Sequence, residues 1–269
     1  MKAGILQLTS TDDPSANLTA TRAMMRDAVG QGVGFILTPE VTNCVSVSRR
    51  HQQSVLCLEA DDPTLAGLRA EAAALEVWLS IGSLALQTDD PDGRFANRSF
   101  VINPAGDIVA RYDKIHMFDV EVADSQRHYR ESLTFEPGDE LVVVPTPLGK
   151  IGLSVCYDIR FPELYRGLFA QGAECLLMPS AFTRVTGEAH FEVLMRARAI
   201  ENVAYTIAAC QGGVHDSGRE TFGHSMVISP WGEVVAKLGL GEAILLADID
   251  LDAVHRIRRD MPVHQQRRL

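Results

Sequence analysis

The chain lacks most features that tie a protein to a membrane, a nucleic acid or an oxidising compartment. None of its apolar runs approaches the ~18 residues that a membrane span needs. The N-terminal MKAGILQLTSTDDP carries one lysine and only a short apolar stretch, which is not the pattern of a secretory leader. Basic residues are in deficit, with 25 Lys and Arg against 35 Asp and Glu. A net charge of -10 without a long basic run argues against nucleic acid or an anionic membrane as the main partner. Cysteine occurs five times (44, 57, 156, 175, 210), an odd number without CxxC spacing, which suits a reduced cytoplasmic protein better than a disulfide scaffold.

Several chemistries are absent by motif. No GxGxxG follows a strand pattern and no GxxxxGK[ST] occurs, which removes dinucleotide and P-loop readings. There is no HExxH and no His/Cys cluster with metal-ligand spacing, so neither a metal nor a cofactor is expected. Gly152-Leu-Ser-Val-Cys156 approaches GxSxG but lacks the last glycine, which leaves Ser154 as a strand residue.

What is present centres on residues 149–163, GKIGLSVCYDIRFPE. An apolar strand ends at Cys156, and Pro162-Glu163 reads as the first turn of a helix. A cysteine between a buried strand and a helix N-terminus is placed to have a lowered thiol pKa. The competing reading is a buried small hydrophobe, the usual fate of a free cysteine, and Cys175 and Cys210, inside apolar strands, suit it. Local context leaves both readings of Cys156 open. A thiolate attacking a carbonyl or nitrile carbon needs a base, an acid for the leaving group and a donor for the developing charge. None of the eight histidines has a distinguishing context as partner, and the papain-type CGSCW is absent. Glu40 stands directly after the strand-ending Pro39, Lys114 closes a strand, and Glu131 sits in Tyr129-Arg-Glu-Ser132. Each read alone could be an ordinary surface residue.

The expected elements alternate between α and β. Strands are expected at 2–8, 33–37, 77–86, 97–102, 108–112, 141–144, 151–155, 174–178, 203–209, 222–229, 233–237 and 243–249. Helices are expected at 14–29, from 63 to about 76, at 162–171, 187–202 and 250–259. Residues 114–139 lack periodicity and read as a long functional loop. Two echoes recur in the same order: Val101-Ile-Asn-Pro-Ala-Gly-Asp-Ile-Val-Ala-Arg111 answers Val227-Ile-Ser-Pro-Trp-Gly-Glu-Val-Val-Ala-Lys237, and the segment from Gln31 to Pro39 answers that from Gln171 to Pro179. They are either a coincidence of common hairpins and strands or the mark of two similar α/β halves. The second reading predicts two mixed sheets packed face to face with helices outside.

Glu40 after Thr-Pro, Lys114 in RYDKIHMFDVE and Cys156 in GLSVCYDIRFPEL together resemble the nitrilase (carbon–nitrogen hydrolase) superfamily. The resemblance covers essentially the whole chain. It implies a single domain over 1–269 with a four-layer α-β-β-α sandwich and an internal pseudo-twofold, and a homodimer or higher homo-oligomer. It also implies that Glu40 is the general base, Cys156 the nucleophile and Lys114 the oxyanion stabiliser. Glu131 positions the substrate or Lys114, and the Tyr157 backbone N–H is the second oxyanion donor. PSAF at 179–182, TGEAHF at 186–191, RARAIE at 196–201 and FGHSM at 222–226 resemble the Nit branch, which contains deaminated glutathione amidase and omega-amidase. The last two segments look closer to the former. The implied reaction is cofactor-free hydrolysis of a small carboxylate-bearing amide, deaminated glutathione to 2-oxoglutarate and cysteinylglycine, through a cysteine thioester. The alternatives are 2-oxoglutaramate as substrate, or a nitrilase or N-carbamyl-amino-acid amidohydrolase activity. For the substrate carboxylate, Arg160 and Arg184 are the candidates, Arg160 having an equally good reading as an ion-pair partner of Asp158 or Glu163. Phe182 is a candidate cleft residue because Pro179 answers Pro39.

Overall fold

The computed structural model describes residues 1–124 and 126–268. Strand β1 (Lys2–Gln7) opens the first sheet. The helix Pro14–Gly30 begins at Asp13, whose carboxylate accepts the Ser15 and Ala16 N–H groups, and returns the chain to β2 (Phe35–Leu37). The helix Pro63–Ala74, capped by Asp62 and with proline in its first turn, leads to β3 (Trp78–Gln87). β4 (Phe95–Ile102) and β5 (Ile108–Asp113) complete this run as antiparallel neighbours. A ribbon of β6 (Asp119–Glu121) and β7 (His128–Arg130) precedes the second sheet.

That sheet starts with β8 (Val143–Thr146) and β9 (Gly149–Leu153). The helix Pro162–Ala170 connects to β10 (Cys175–Leu177), and the helix Glu192–Asn202 connects to β11 (Tyr205–Ala208). A ribbon of β12 (Gly212–Val214) and β13 (Glu220–Phe222) comes before β14 (Met226–Ile228) and β15 (Val234–Lys237). β16 (Ala243–Asp248) then crosses back to pair with β1.

The two six-stranded sheets have the orders β16-β1-β2-β3-β4-β5 and β8-β9-β10-β11-β14-β15. In each, the second to fourth strands are parallel and the others antiparallel. Alternation along the strands sends residues to opposite faces. Ala3, Ile5, Phe35 and Leu37 join Ile151, Leu153, Cys175 and Leu177 in one buried cluster between the sheets. Leu6 and Ile36 instead pack with Met25, Ala28, Leu65 and Leu68 of the outer helices. The result is the expected four-layer α-β-β-α sandwich.

The sequence echoes are structural repeats. Residues 103–106 and 229–232 form the same turn, with Gly106 N–H bonded to Asn103 O and Gly232 N–H to Ser229 O, both at 2.9 Å. Both glycines have φ above +80°, a conformation that penalises any side chain. The pairing irregularity in each hairpin also falls at matched residues, between Val101 and Ile102 and between Val227 and Ile228.

Three expectations need correction. Residues 114–139 are not a bare loop, since they contain β6, β7 and the 3-10 turn Glu131–Leu133; strands of three residues are too short to show a period. The helix expected at 187–202 starts as a π-type turn, Gly187–Phe191, and is regular only over Glu192–Asn202. At Gly187 a Cβ would sit 2.2 Å from the Phe222 ring, so glycine is needed there for close packing. The helix Arg49–Val55, capped by Ser48, was not foreseen because it is short and polar.

The sheets meet closely at Gly82, where a Cβ would lie 2.0 Å from Thr38 O and 2.5 Å from Pro179 Cβ. Backbone cannot yield as a flexible side chain can. Gly82→Ala is therefore expected to destabilise the protein by about 3 kcal/mol or more, read as a lowered denaturant midpoint at unchanged slope. An unchanged midpoint would contradict this packing.

Candidate active site

Four elements deliver polar side chains to one cavity of about 190 Å³. Glu40 follows β2 and is 4 % exposed. Lys114 follows β5 and is 2 % exposed. Glu131 starts the 3-10 turn after β7. Cys156 begins the 3-10 turn Cys156–Arg160 after β9 and has φ +51°, a left-handed backbone unusual outside glycine. All four line the cavity, with Asn97, Tyr157 and Phe182.

Lys114 Nζ lies 2.9 Å from Glu40 Oε1 and 2.8 Å from each Glu131 oxygen. Asn97, on β4, donates its amide to Glu40 Oε1 at 2.9 Å and more weakly to Glu131 Oε1 at 3.4 Å. Glu40 Oε2 accepts the Ala181 N–H at 2.8 Å, and Glu131 Oε2 accepts the Phe118 N–H at 2.6 Å. The carboxylates are thus fully engaged, as buried charges must be.

These contacts decide the protonation states. Burial alone would push Glu40 up, but the Lys114 charge, the Lys114, Cys156 and Asn97 hydrogen bonds together outweigh it and hold Glu40 below the usual glutamate range. Burial would likewise lower Lys114, yet Glu131 and Glu40 hold it firmly protonated. The Cys156 thiol is pushed well above its ordinary range by burial first and the Glu40 charge second, with Lys114 only partly opposing them. The expected lowering of the thiol pKa is therefore corrected. The α-helix dipole also starts too late, because Pro162–Ala170 follows a separate 3-10 turn. The resting pair is a carboxylate beside a neutral thiol.

The turn that presents Cys156 is fixed by Asp158, which is fully buried. Its Oδ2 accepts the Val155 N–H at 2.8 Å and the Tyr112 hydroxyl at 2.6 Å. Its Oδ1 accepts the His116 N–H at 3.0 Å and contacts His116 Nδ1 at 2.7 Å. The Cys156 N–H donates to Pro179 O at 2.9 Å, which ties the backbone at Cys156 to the end of β10. Among the described residues none accepts the Tyr157 N–H.

The structure brings Glu40, Lys114, Glu131, Cys156, Tyr157 and Phe182 together but leaves Arg160 and Arg184 off the cavity wall. Arg160 packs over the Tyr157 and Phe182 rings, 5.6 Å from each centroid, with Nη2 3.3 Å from His190 Nδ1. It pairs with neither Asp158 nor Glu163, since Asp158 is taken by Tyr112 and His116. Arg184 is exposed and its donors go to Glu188 and Glu220. Sequence reasoning missed Asn97, Asp158 and Arg219, an arginine on the cavity wall. Asp158 could have been found as an acid two residues after Cys156; Asn97 and Arg219 carry no local signal.

The carbon–nitrogen hydrolase family model matches residues 2–259. Over 268 residues the chain is 38% identical to the deaminated glutathione amidase of Yersinia enterocolitica, covering 98% of this chain and 92% of that one. It is similar to the NitFhit protein of C. elegans, with a TM-score of 0.90 at 36% identity over 99% of this chain, and spans 65% of that longer protein. It is also similar to Saccharomyces cerevisiae Nit3, a member of branch 10 of the nitrilase superfamily, with a TM-score of 0.88 at 28% identity over 100% of this chain and 97% of that one.

The protonation states are open to direct measurement. Thiolate absorbance near 240 nm, taken as wild type minus Cys156→Ser, is expected to rise only above pH 9.0, the ordinary thiol value. A thiolate step between about pH 5 and 8 would show that Lys114 dominates instead.

Proposed function

The chain belongs to the carbon–nitrogen hydrolase family and hydrolyses carbon–nitrogen bonds; from that premise we propose that it is a cofactor-free amidase of the Nit branch, acting on deaminated glutathione through a thioester on Cys156, with the whole chain, residues 1–269, as one catalytic domain. The observation that carries the reading is the contact set of Glu40. This single buried carboxylate is bound to Lys114 at 2.9 Å and lines the same cavity as Cys156.

The steps follow from that geometry. Cys156 Sγ attacks the amide carbon while its proton passes to Glu40, so no free thiolate accumulates. The oxyanion is received by Lys114 Nζ and the Tyr157 N–H. The tetrahedral adduct collapses as Glu40 hands the proton to the departing nitrogen, and cysteinylglycine leaves. Glu40 then takes a proton from water, which attacks the thioester; the acid departs and Sγ recovers its proton. Glu131 keeps Lys114 charged and aimed at the centre. The full-length similarity to a deaminated glutathione amidase favours that substrate over 2-oxoglutaramate.

Two further features belong to the proposal. The chain forms a homodimer through the face carrying exposed Val193 and Ile200 of the helix Glu192–Asn202 and the neighbouring Trp231, an apolar group that a second copy would cover. The protein is cytoplasmic, as its five unpaired cysteines suit a reducing compartment. No helix among the described residues is long and apolar enough to cross a membrane.

Incubation with deaminated glutathione is expected to release cysteinylglycine and to leave a transient 2-oxoglutaryl mass on Cys156. Cys156→Ala abolishes turnover, and Glu40→Gln lowers kcat/KM by about 10²–10⁴ or more. Full activity in Glu40→Gln would sink the mechanism, and turnover of 2-oxoglutaramate alone would move the substrate assignment. On the assembly, Trp231→Glu is expected to shift sedimentation from dimer to monomer; an unchanged dimer would place the interface elsewhere.

A further inference from the structure

A second cavity of about 230 Å³ adjoins the catalytic one, and Gln126, Tyr129 and Arg219 line both. Of the arginines on these walls, most are already occupied. Arg49 donates to the carbonyls of Leu133, Asp92 and Gly93. Arg130 donates to Tyr129 O and to Glu121. Arg184 is held by Glu188 and Glu220.

Arg219 differs. Its Nη2 donates to Ala181 O at 2.7 Å, and its buried Nε has no partner among the described residues. A buried donor on a charged group without an acceptor is rare and calls for one. Among the described residues no carboxylate comes within 4.0 Å of its guanidinium. Its anchor is informative too. Ala181 accepts from Arg219 through its carbonyl and donates through its N–H to Glu40 Oε2. The guanidinium is therefore fixed one residue from the proposed general base, on a wall that the substrate must touch.

We propose that Arg219 is the specificity-determining residue that binds the carboxylate of the amide's acyl portion, so that the charged end lies at the boundary of the two cavities while the amide carbon meets Cys156. The assignment rests on the amidase reading and supplies the recognition that Arg160 and Arg184 do not. A planar guanidinium pinned at Nη2 by Ala181 O holds its remaining N–H groups in a fixed plane for a carboxylate, a geometry that lysine does not reproduce.

The test separates recognition from turnover. Binding of glutarate is measured by calorimetry, and kcat/KM is measured for glutaramate and for butyramide, its analogue without the carboxylate. In Arg219→Gln, glutarate affinity is expected to fall at least ~30-fold, and the preference for glutaramate over butyramide to fall by a similar factor. Arg219→Lys, which keeps the charge and a donor for Ala181 O, is expected to lose at least ~5-fold in both, and it reads the effect even if the glutamine variant fails to fold. Equal affinity and preference in wild type and both variants overturn the assignment, as does failure of the wild type to bind glutarate. If the wild type binds glutarate through Arg219 yet hydrolyses neither amide, the assignment stands and the amidase reading falls.

Discussion

The site depends on one buried ammonium shared by two carboxylates. Taking three charges out of water costs several kcal/mol for each ion, and mutual attraction offsets this only when geometry is good and the remaining lone pairs are satisfied. Here Lys114 reaches both glutamates within 2.9 Å, and Asn97, Ala181 and Phe118 supply the remaining donors. The arrangement carries one net negative charge before the thiol is counted. Burial first, and that excess second, keep the thiol protonated, so that in the proposed mechanism a base rather than a preformed thiolate starts the chemistry. Glu131 is not redundant in this scheme: without it Glu40 would face Lys114 alone, and the ammonium would be drawn towards the base.

The same network explains why the site lies at the seam between the two repeated halves. Glu40 and Lys114 come from the first sheet, Cys156 from the second. The pairing Ile5 with Leu37 in one half matches Leu153 with Leu177 in the other. Counting three residues on, Cys156 answers Leu8; counting from the matched prolines, Glu40 answers Ser180. Each half therefore places a residue at each position, but only one of each pair, Cys156 and Glu40, lines the cavity. Backbone bonds across the seam, such as Leu8 N–H to Cys210 O and Gly212 N–H to Leu8 O, hold the strand ends in line.

Much of this was legible in the sequence because it is written locally. Asp62-Pro63 and Pro162-Glu163 mark helix starts that the structure contains, and the echoed hairpins keep their turn glycines because positive φ leaves little choice. The family resemblance rests on segments around Glu40, Lys114 and Cys156 that are likewise contiguous. What escaped reading is what depends on the meeting of distant segments. Asn97 lies 57 residues from Glu40 and Arg219 lies 38 from Ala181, and neither has neighbours that betray the partner. Arg160 and Arg184 are the converse case: although near Cys156 and Phe182 in sequence, neither lines the cavity that holds Cys156, and Arg184 is engaged by Glu188 and Glu220. The thiol pKa was misjudged because a helix start is visible in sequence whereas a carboxylate arriving from another sheet is not.

The matched hairpins carry a consequence of their own. Two copies of a scaffold that agree in turn, bulge and strand order form an internal control, in which one copy records what folding requires and the other what chemistry adds. Gly106 and Gly232 coincide because both copies must fold. Leu8 and Cys156 diverge because only Cys156 lines the cavity, and Leu8, 2 % exposed, shows what occupies the position when packing is the sole demand. Specialisation of this kind asymmetrises a duplicated frame without loosening it: the idle copy carries the fold while its twin is free to hold a left-handed cysteine and a cluster of buried charges that packing alone would never select.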